Sequence, residues 1–136
     1  MKLFNIAVVA LVNRDGQILL HLRKGEDETD LPGHWLLVGG AIEPGEEPHD
    51  TILREVIEEL SYSLYEPQYL IAQNFEVNGC AKGVRHVFYE LHDGVTEVRS
   101  REGFDLRWVH PNEFVDILTT KDVREVVEIL KKKELI

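Results

Sequence analysis

Apolar residues occur along this chain in short runs that are separated by turn-forming residues. Two such runs, residues 3–12 and 17–23, flank Asn13-Arg14-Asp15-Gly16. An Asp-Gly pair between apolar runs is a strong hairpin signal, so we predict two paired strands here. Further strand-like runs, bounded by glycine and other turn residues, lie at residues 35–38, 66–77, 84–92 and 106–109.

Two other segments repeat apolar residues at the spacing of a helix. The first runs from about residue 48 to residue 60, and Pro48 suits its first turn, where a missing backbone donor is harmless. The second covers residues 122–132 and ends in lysines, which favour a helix C-terminus. Residues 111–118 form a short helix or a turn. The residues expected on the buried side of the first helix are Leu53, Val56, Ile57 and Leu60.

The order of these elements predicts the fold class. The 136 residues contain no internal repeat, linker or low-complexity segment, and this length suits one domain spanning residues 1–136. Because strands are interspersed with two helices, we predict an α/β fold in which the helices cover the faces of one mixed sheet.

Net charge and cysteine content restrict the binding partners and the cellular compartment that we expect for this protein. The formal net charge of −10 argues against polymeric nucleic acid as a partner, because such binding requires a basic surface. Cys80 is the only cysteine, which favours a reducing compartment. The apolar run within residues 1–12 is too short to span a membrane and is followed by no small-residue cleavage site. We therefore expect a cytoplasmic protein without membrane association.

Three glutamates share one face of the first predicted helix. At about 100° per residue, Glu55, Glu58 and Glu59 fall within roughly a 100° arc. Like charges this close repel one another, so a positive group should offset them. Arg54 borders the face and can orient a carboxylate, but Mg²⁺ or Mn²⁺ would compensate more fully, because these cations take oxygen ligands. The alternative is an ordinary solvated acidic face.

The wider pattern around these glutamates resembles a known family motif. The stretch from Gly40 to Tyr62 is similar to the Nudix box, G-x5-E-x7-R-E-U-x-E-E-x-G-U, in which U is aliphatic. Glu46 and Arg54 occupy their positions in that motif, as do the three glutamates. The resemblance implies a Nudix α/β/α sandwich with a mixed β-sheet, and the activity of a Nudix hydrolase of the MutT-like kind.

The chain departs from the box at its end. Ser61 stands where the family has glycine, and Tyr62 stands where it has an aliphatic residue. Glycine is favoured at a helix end for its left-handed conformation, so we expect a different cap at Ser61. Val38 also replaces the proline that many relatives have before the paired glycines. These changes concern loop geometry rather than the acidic residues.

The resemblance also implies roles for single residues. Glu58 and Glu59 match the metal-binding pair, and Glu55 matches a ligand that in some members is also the general base. Arg54 orients carboxylates, the carbonyl of Gly39 or Gly40 can complete the coordination, and Glu46 is an outer ligand or a loop organiser. Glu102, a later glutamate, is similar to the metal-binding base of MutT-like members, and Glu97 and Asp105 are alternative candidates for that role. Arg23 is similar to a residue that contacts the substrate.

These roles lead to a functional hypothesis. We expect a Mg²⁺-dependent enzyme, with Mn²⁺ as an alternative, that cleaves the diphosphate linkage of a nucleoside triphosphate or a related, damaged or noncanonical nucleotide. The alternatives are a non-catalytic nucleotide-sensing module and a hydrolase of ADP-ribose or another nucleoside diphosphate derivative. A homodimer is an option, because members of the family often dimerise. The aromatic residues that could stack on a base or belong to the core are Trp35, Phe75, Phe88 and Trp108.

Overall fold

A computed structural model of the chain describes residues 1–23, 31–77, 79–101 and 103–136. Within these ranges the strands form one sheet of eight, accompanied by two α-helices and a short 3₁₀ helix. The elements are β1 (Lys2–Leu3), β2 (Ile6–Val12), β3 (Ile18–Leu22), β4 (Trp35–Leu36), β5 (Val38–Ala41), α1 (Pro48–Leu60), β6 (Gln68–Val77), β7 (Ala81–Leu91), β8 (Leu106–Val109), the 3₁₀ helix (Pro111–Val115) and α2 (Lys121–Lys132).

The sheet is mixed, as the sequence predicts. Strand β7 pairs in parallel with β1 and β2 and antiparallel with β6. Strand β3 pairs antiparallel with β4 and β8. The predicted hairpin between β2 and β3 is also present, since Gly16 has a positive φ of 74° and the side chain of Asn13 accepts hydrogen bonds from the backbone of Asp15 and Gln17.

The two faces of the sheet bury separate hydrophobic layers. Alternate residues of β2 belong to different layers, with Val8 and Ala10 in the core beneath α2 and Ala7 and Val9 in the core beneath α1. Burial on both faces explains why this strand reads as an unbroken apolar run. The predicted α/β/α sandwich is therefore confirmed. The helix residues that complete the two cores are Ile52, Val56 and Leu60 from α1, and Val123, Val126, Val127 and Leu130 from α2.

Strands β2 and β3 diverge after their single pair, Val12 with Ile18. Beyond that point β5 pairs with β2, and β4 pairs with β3. A cavity of about 240 Å³ borders both diverging strands, β4, β5, β6, β7 and the start of α2. The divergence thus creates a concave space beside the glycines of β5.

Two predicted strands are each divided in the structure. The run at residues 3–12 is interrupted at Phe4 and Asn5, where the side-chain oxygen of Asn5 accepts a hydrogen bond from the Val84 backbone at 3.0 Å. The run at residues 35–38 breaks at Leu37, and β5 continues through the paired glycines to Ala41. In both places a neighbouring strand, rather than local sequence, decides the boundary.

Two expectations about α1 were wrong. Ile57 is 48% exposed because the buried face is centred on Ile52 and Val56, about a quarter-turn or more away from it. Ser61 does not give the helix a different cap, because it adopts the left-handed conformation itself, with φ 53° and ψ 37°. Its N–H donates to the Ile57 carbonyl at 3.0 Å. The tertiary contacts after the helix impose the conformation that glycine would adopt more easily.

Across the described ranges, no helix combines the length and apolarity needed to cross a membrane.

Candidate functional site

Arg54 lies at the centre of a carboxylate cluster on α1 and the preceding loop. Its Nε and Nη2 donate to Glu46 at 2.8 and 2.9 Å, which is a bidentate contact. Its Nη1 donates to Glu55 Oε1 at 2.9 Å and to Glu58 Oε2 at 3.2 Å. The hydrogen bond to Glu46 is the main reason why the pKa of Arg54 is raised. One guanidinium therefore orients three carboxylates.

The contacts of Glu46 are those of a loop organiser. Besides Arg54, its carboxylate accepts hydrogen bonds from the Glu43 backbone at 3.0 Å and from the Thr51 hydroxyl at 2.9 Å. The hydrogen bonds from Arg54, followed by the one from the Glu43 backbone, lower the pKa of Glu46 to about 2. Glu46 thereby connects the loop before α1 to the first turns of the helix.

Glu55 packs directly against the backbone of Gly40 on β5. A Cβ placed on Gly40 would overlap the carboxyl group and lie 2.7 Å from its Oε2. The side chain of Glu55 is only 15% exposed, whereas that of Glu58 is 55% exposed. A glycine at position 40 is thus required by the Glu55 carboxylate rather than by a turn, because Gly40 has no positive φ.

The end of α1 receives the segment that precedes β8. The Arg101 N–H donates to the Glu59 carbonyl at 2.9 Å, and the Arg99 N–H donates to the Leu60 carbonyl at 3.2 Å. Glu102, the predicted partner from outside the box, lies outside the described residues. Its rival Glu97 forms an exposed ion pair with Arg99 at 3.4 Å.

The second rival, Asp105, lies beside the end of β3. Its backbone carbonyl accepts a hydrogen bond from the Leu22 N–H at 3.0 Å. The two rivals therefore occupy different places in the fold.

The donor chemistry at α1 and β5 suits a hard divalent cation. Carboxylate oxygens and a backbone carbonyl are the ligands that Mg²⁺ and Mn²⁺ prefer. In the part of the chain that the structure describes, no three acidic, histidine or cysteine side chains are already grouped as a metal site. Instead, the Arg54 guanidinium hydrogen-bonds Glu55 and Glu58 together. Any cation at these carboxylates must therefore share them with Arg54.

The cavity adjoins this carboxylate cluster through Gly40, which lines the cavity and contacts the Glu55 carboxylate. Arg23, predicted to contact substrate, also lines the cavity, and its guanidinium carbon lies 5.6 Å from the ring centroid of Phe104. Of the four aromatic candidates for stacking, Phe75 lines the cavity. The other three pack against or within the hydrophobic cores: Trp35, Phe88 and Trp108.

His21 is a cavity residue that the sequence pattern did not indicate. It is buried, and its Nε2 lies 3.2 Å from the Leu37 carbonyl, between β4 and β5. Burial, followed by the charge of Arg23, lowers the pKa of His21 to about 4. The imidazole is therefore neutral near pH 7 and fixes the backbone that leads to the glycines of β5.

Three further polar residues of the cavity lining, on β6, β7 and α2, were also not predicted. They are Gln73 on β6, Arg85 on β7 and Asp122 at the start of α2. A signal for one of them was available, because Gln73 occupies a buried position in alternation with Phe75 and Val77. A polar residue at an inward-facing strand position needs a partner, and such residues often belong to a site.

Comparisons with known proteins agree with this geometry. The NUDIX domain model matches residues 1–130. The Nucleoside triphosphatase NudI of Escherichia coli O1:K1 / APEC is 30% identical over 131 aligned positions, which cover 86% of this chain and 92% of that protein.

Solved structures show the same fold. The MutT NUDIX hydrolase from Burkholderia pseudomallei has a TM-score of 0.79 at 27% identity, covering 96% of this chain and 99% of that one. The MutT protein from Methanosarcina mazei Go1 has a TM-score of 0.83 at 23% identity, covering 98% and 96%. With the box residues arranged around Gly40 and the family model spanning nearly the whole chain, this protein belongs to the Nudix hydrolase family.

Proposed function

We propose that this chain hydrolyses the diphosphate linkage of a nucleoside triphosphate, or of a related damaged or noncanonical nucleotide, with Mg²⁺ or Mn²⁺ bound at the α1 carboxylates. The observation that carries the proposal is that Gly40 borders both the Glu55 carboxylate and the cavity. A substrate in the cavity would therefore have its reacting end beside the carboxylates. The similarity to the Nucleoside triphosphatase NudI supports this substrate class.

The residues proposed to hold the cation are Glu55, Glu58 and Glu59, with the Gly40 carbonyl. When bound, the cation would lower the pKa of a coordinated water and neutralise charge on the phosphate oxygens. Arg54 orients the Glu55 and Glu58 carboxylates through its hydrogen bonds. Its permanent charge also limits their mutual repulsion before a cation binds.

Two glutamates are candidates for the general base that removes a proton from the attacking water. Glu55 is held in place by Arg54 and Gly40. Glu102 is proposed from the sequence pattern, and the adjoining residue Arg101 is bonded to the backbone of Glu59. The ordered position of Glu55 favours a ligand role for it, which leaves Glu102 as the base to be tested first.

The proposed partner is a small nucleotide, which Arg23 and Phe75 would contact in the cavity. The net charge of −10 continues to argue against polymeric nucleic acid. The single free cysteine, Cys80, supports a cytoplasmic location. A homodimer stays a prediction that light scattering on the purified protein can test.

The proposal is tested by measuring release of phosphate or pyrophosphate, with and without Mg²⁺ or Mn²⁺, over a panel of nucleoside triphosphates, oxidised nucleotides, ADP-ribose and dinucleoside polyphosphates. Glu58→Gln removes a carboxylate while keeping the shape of the side chain. Because this carboxylate is exposed, the variant should stay folded, and its turnover should fall by about 10² or more.

Glu128→Gln is the matched control, because Glu128 is an exposed glutamate on α2 whose partner is Lys131. It should retain full turnover. Glu102→Gln and Glu55→Gln then separate base from ligand: loss of the base lowers kcat at saturating metal, whereas loss of a ligand raises the metal concentration required. Turnover that survives chelation of divalent ions, or a fully active Glu58→Gln variant, would contradict the proposal. Nucleotide binding without any product would favour the sensing module.

A further inference from the structure

The final turn of α1 is completed by hydrogen bonds from a segment that is distant in sequence. An α-helix leaves the carbonyl groups of its final turn without partners inside the helix. At the end of α1, the Glu59 carbonyl accepts from the Arg101 N–H at 2.9 Å. The Leu60 carbonyl accepts from the Arg99 N–H at 3.2 Å. Residues 92–101, which follow β7, therefore act as a C-terminal cap for α1, and we call them the capping loop.

This cap holds the backbone of two proposed cation ligands. Glu58 and Glu59 belong to the final turn of α1, and helix ends fray when their carbonyl groups lose their partners. If the capping loop moved away, the backbone of both glutamates could leave the helical conformation. The position of the loop therefore influences how well the two carboxylates are placed for a cation.

Tyr62 holds the start of the capping loop. Its side chain is buried, and its hydroxyl oxygen accepts a hydrogen bond from the Asp93 N–H at 2.9 Å. Its ring stacks on the ring of His92, with centroids 5.1 Å apart and planes inclined by 21°. His92 in turn contacts Trp108 on β8, with centroids 5.4 Å apart. The three rings thus connect the end of α1 to β8 and to the residue that follows β7.

Polar contacts fix the turn that these rings support. The Gly94 N–H donates to His92 Nδ1 at 3.0 Å, which leaves His92 Nε2 to donate to the Thr96 carbonyl at 2.6 Å. The carboxylate of Asp93 accepts from the N–H groups of Val95 and Thr96, each at 2.8 Å. A network of this kind makes the turn rigid, so a restraint on its first residues also restrains the segment that reaches α1.

The hydroxyl and the ring of Tyr62 have no counterpart in an aliphatic side chain, which the Nudix box has at this position. Tyr62 belongs to the core beneath α1, together with Leu60 and Leu64, and an aliphatic residue could fill that space. It could neither stack on His92 nor accept from the Asp93 N–H. The departure from the box therefore adds a specific connection between α1 and the capping loop.

We propose that Tyr62 is a positioning residue that holds the capping loop on the end of α1, so that the position of the loop and cation binding at Glu58 and Glu59 are coupled. This rests on the proposed function, because it assumes that the α1 carboxylates bind a divalent cation. Coupling between two sites is reciprocal, so a bound cation must also stabilise the capped state of the loop. Tyr62 acts through His92 and Asp93 rather than by contact with the cation.

The test is amide hydrogen exchange followed by NMR, which needs no turnover. Tyr62→Phe keeps the ring and removes the acceptor of the Asp93 N–H. Without divalent ions, the Arg99 and Arg101 amides of this variant should exchange about 10-fold faster than in the wild type. Tyr65→Phe is the matched control, because Tyr65 is 91% exposed, and it should leave both rates unchanged.

A second control separates loop opening from a general loss of stability. Val127→Ala removes methyl groups from the core beneath α2, far from the capping loop. It should speed exchange of the Val9 amide in the central strand β2, which opens on global unfolding. Because the contacts of the capping loop are intact in this variant, exchange of the Arg99 and Arg101 amides by local opening should stay at the wild-type rate.

The coupling is tested by adding Mg²⁺ to the same samples. At about ten times the dissociation constant measured by calorimetry, Mg²⁺ should slow exchange of the Arg99 and Arg101 amides about 10-fold, because it binds the capped state in preference. In Glu58→Gln the same Mg²⁺ concentration should have little effect. Glu128→Gln, on the exposed side of α2, should behave like the wild type.

Three results would overturn the proposal. They are unchanged exchange of the Arg99 and Arg101 amides in Tyr62→Phe, exchange of these amides at the rate of an unstructured peptide in the wild type, and Mg²⁺ that binds without slowing them. Absence of Mg²⁺ binding to the wild type would contradict this proposal and the hydrolase proposal together. A protein that shows the expected exchange rates but hydrolyses nothing would support the coupling and count against the hydrolase proposal alone.

Discussion

Protonation of the buried His21 is expected to destabilise the fold on mild acidification. The imidazole projects from β3 toward the Leu37 carbonyl, and its centroid lies 5.6 Å from that of the Phe104 ring. The side chain is buried and has little contact with water. Charging it there would place a cation in a poorly solvated position near Arg23. The folded protein therefore resists a proton that the unfolded chain accepts readily.

The magnitude follows from the two pKa values. The pKa of His21 is about 4 in the folded protein, whereas its ordinary value, which applies to the unfolded chain, is 6.5. Between these values the unfolded chain binds more protons, so the free energy of unfolding falls as the pH falls. A separation of roughly 2.5 between the pKa values corresponds to about 3 kcal/mol, fully present above pH 6.5 and lost as the pH approaches 4.

The assay is urea denaturation of the wild type and of His21→Gln at several pH values between 4 and 7.5. Glutamine cannot titrate and can still donate to the Leu37 carbonyl. The difference in unfolding free energy between the two proteins should change by about 3 kcal/mol across this range. His49→Gln, at an exposed position of α1, controls for loss of a surface histidine. Parallel pH curves for the wild type and His21→Gln would refute the reasoning.

Two further predictions concern positions of the Nudix box. Gly40→Ala places a methyl group against the Glu55 carboxylate, so metal-dependent turnover should fall about 10²-fold while the unfolding free energy drops by only about 1–3 kcal/mol; full activity would show that Glu55 adapts without cost. Ser61→Gly relieves a left-handed conformation at an exposed position and should stabilise the protein by about 1 kcal/mol in urea denaturation. Ser63→Gly, where φ is not positive, should give no such gain, and equal effects in the two variants would contradict this account.

The predictions that succeeded rest on local patterns. The bounds of α1 follow from Pro48 and the apolar spacing after it, and the β2–β3 hairpin follows from residues within a few positions of one another. The 3.6-residue period likewise placed the glutamates on one arc of α1. Such signals depend on neighbours in sequence, so the chain alone contains them.

The predictions that failed depend on contacts between distant segments. Ser61 adopts the left-handed conformation although its type disfavours it, and Ile57 is exposed although it belongs to the apolar arc. In each case tertiary packing outweighed a local preference, because the free energy of burying apolar side chains exceeds the roughly 1 kcal/mol that separates local conformations.

The sequence by itself determined the fold class, the elements of the Nudix box and the acidic face of α1, because periodicity and fixed spacing encode them. Only the tertiary structure decided which side of that face meets Gly40, and which contacts make Glu46 a loop organiser. The tertiary structure also decided which residues form the cavity wall, since Arg85 and Asp122 are 37 positions apart and meet only when α2 packs on the sheet. Contacts between residues this far apart in sequence leave no periodic pattern, so only the folded structure shows that the two residues meet.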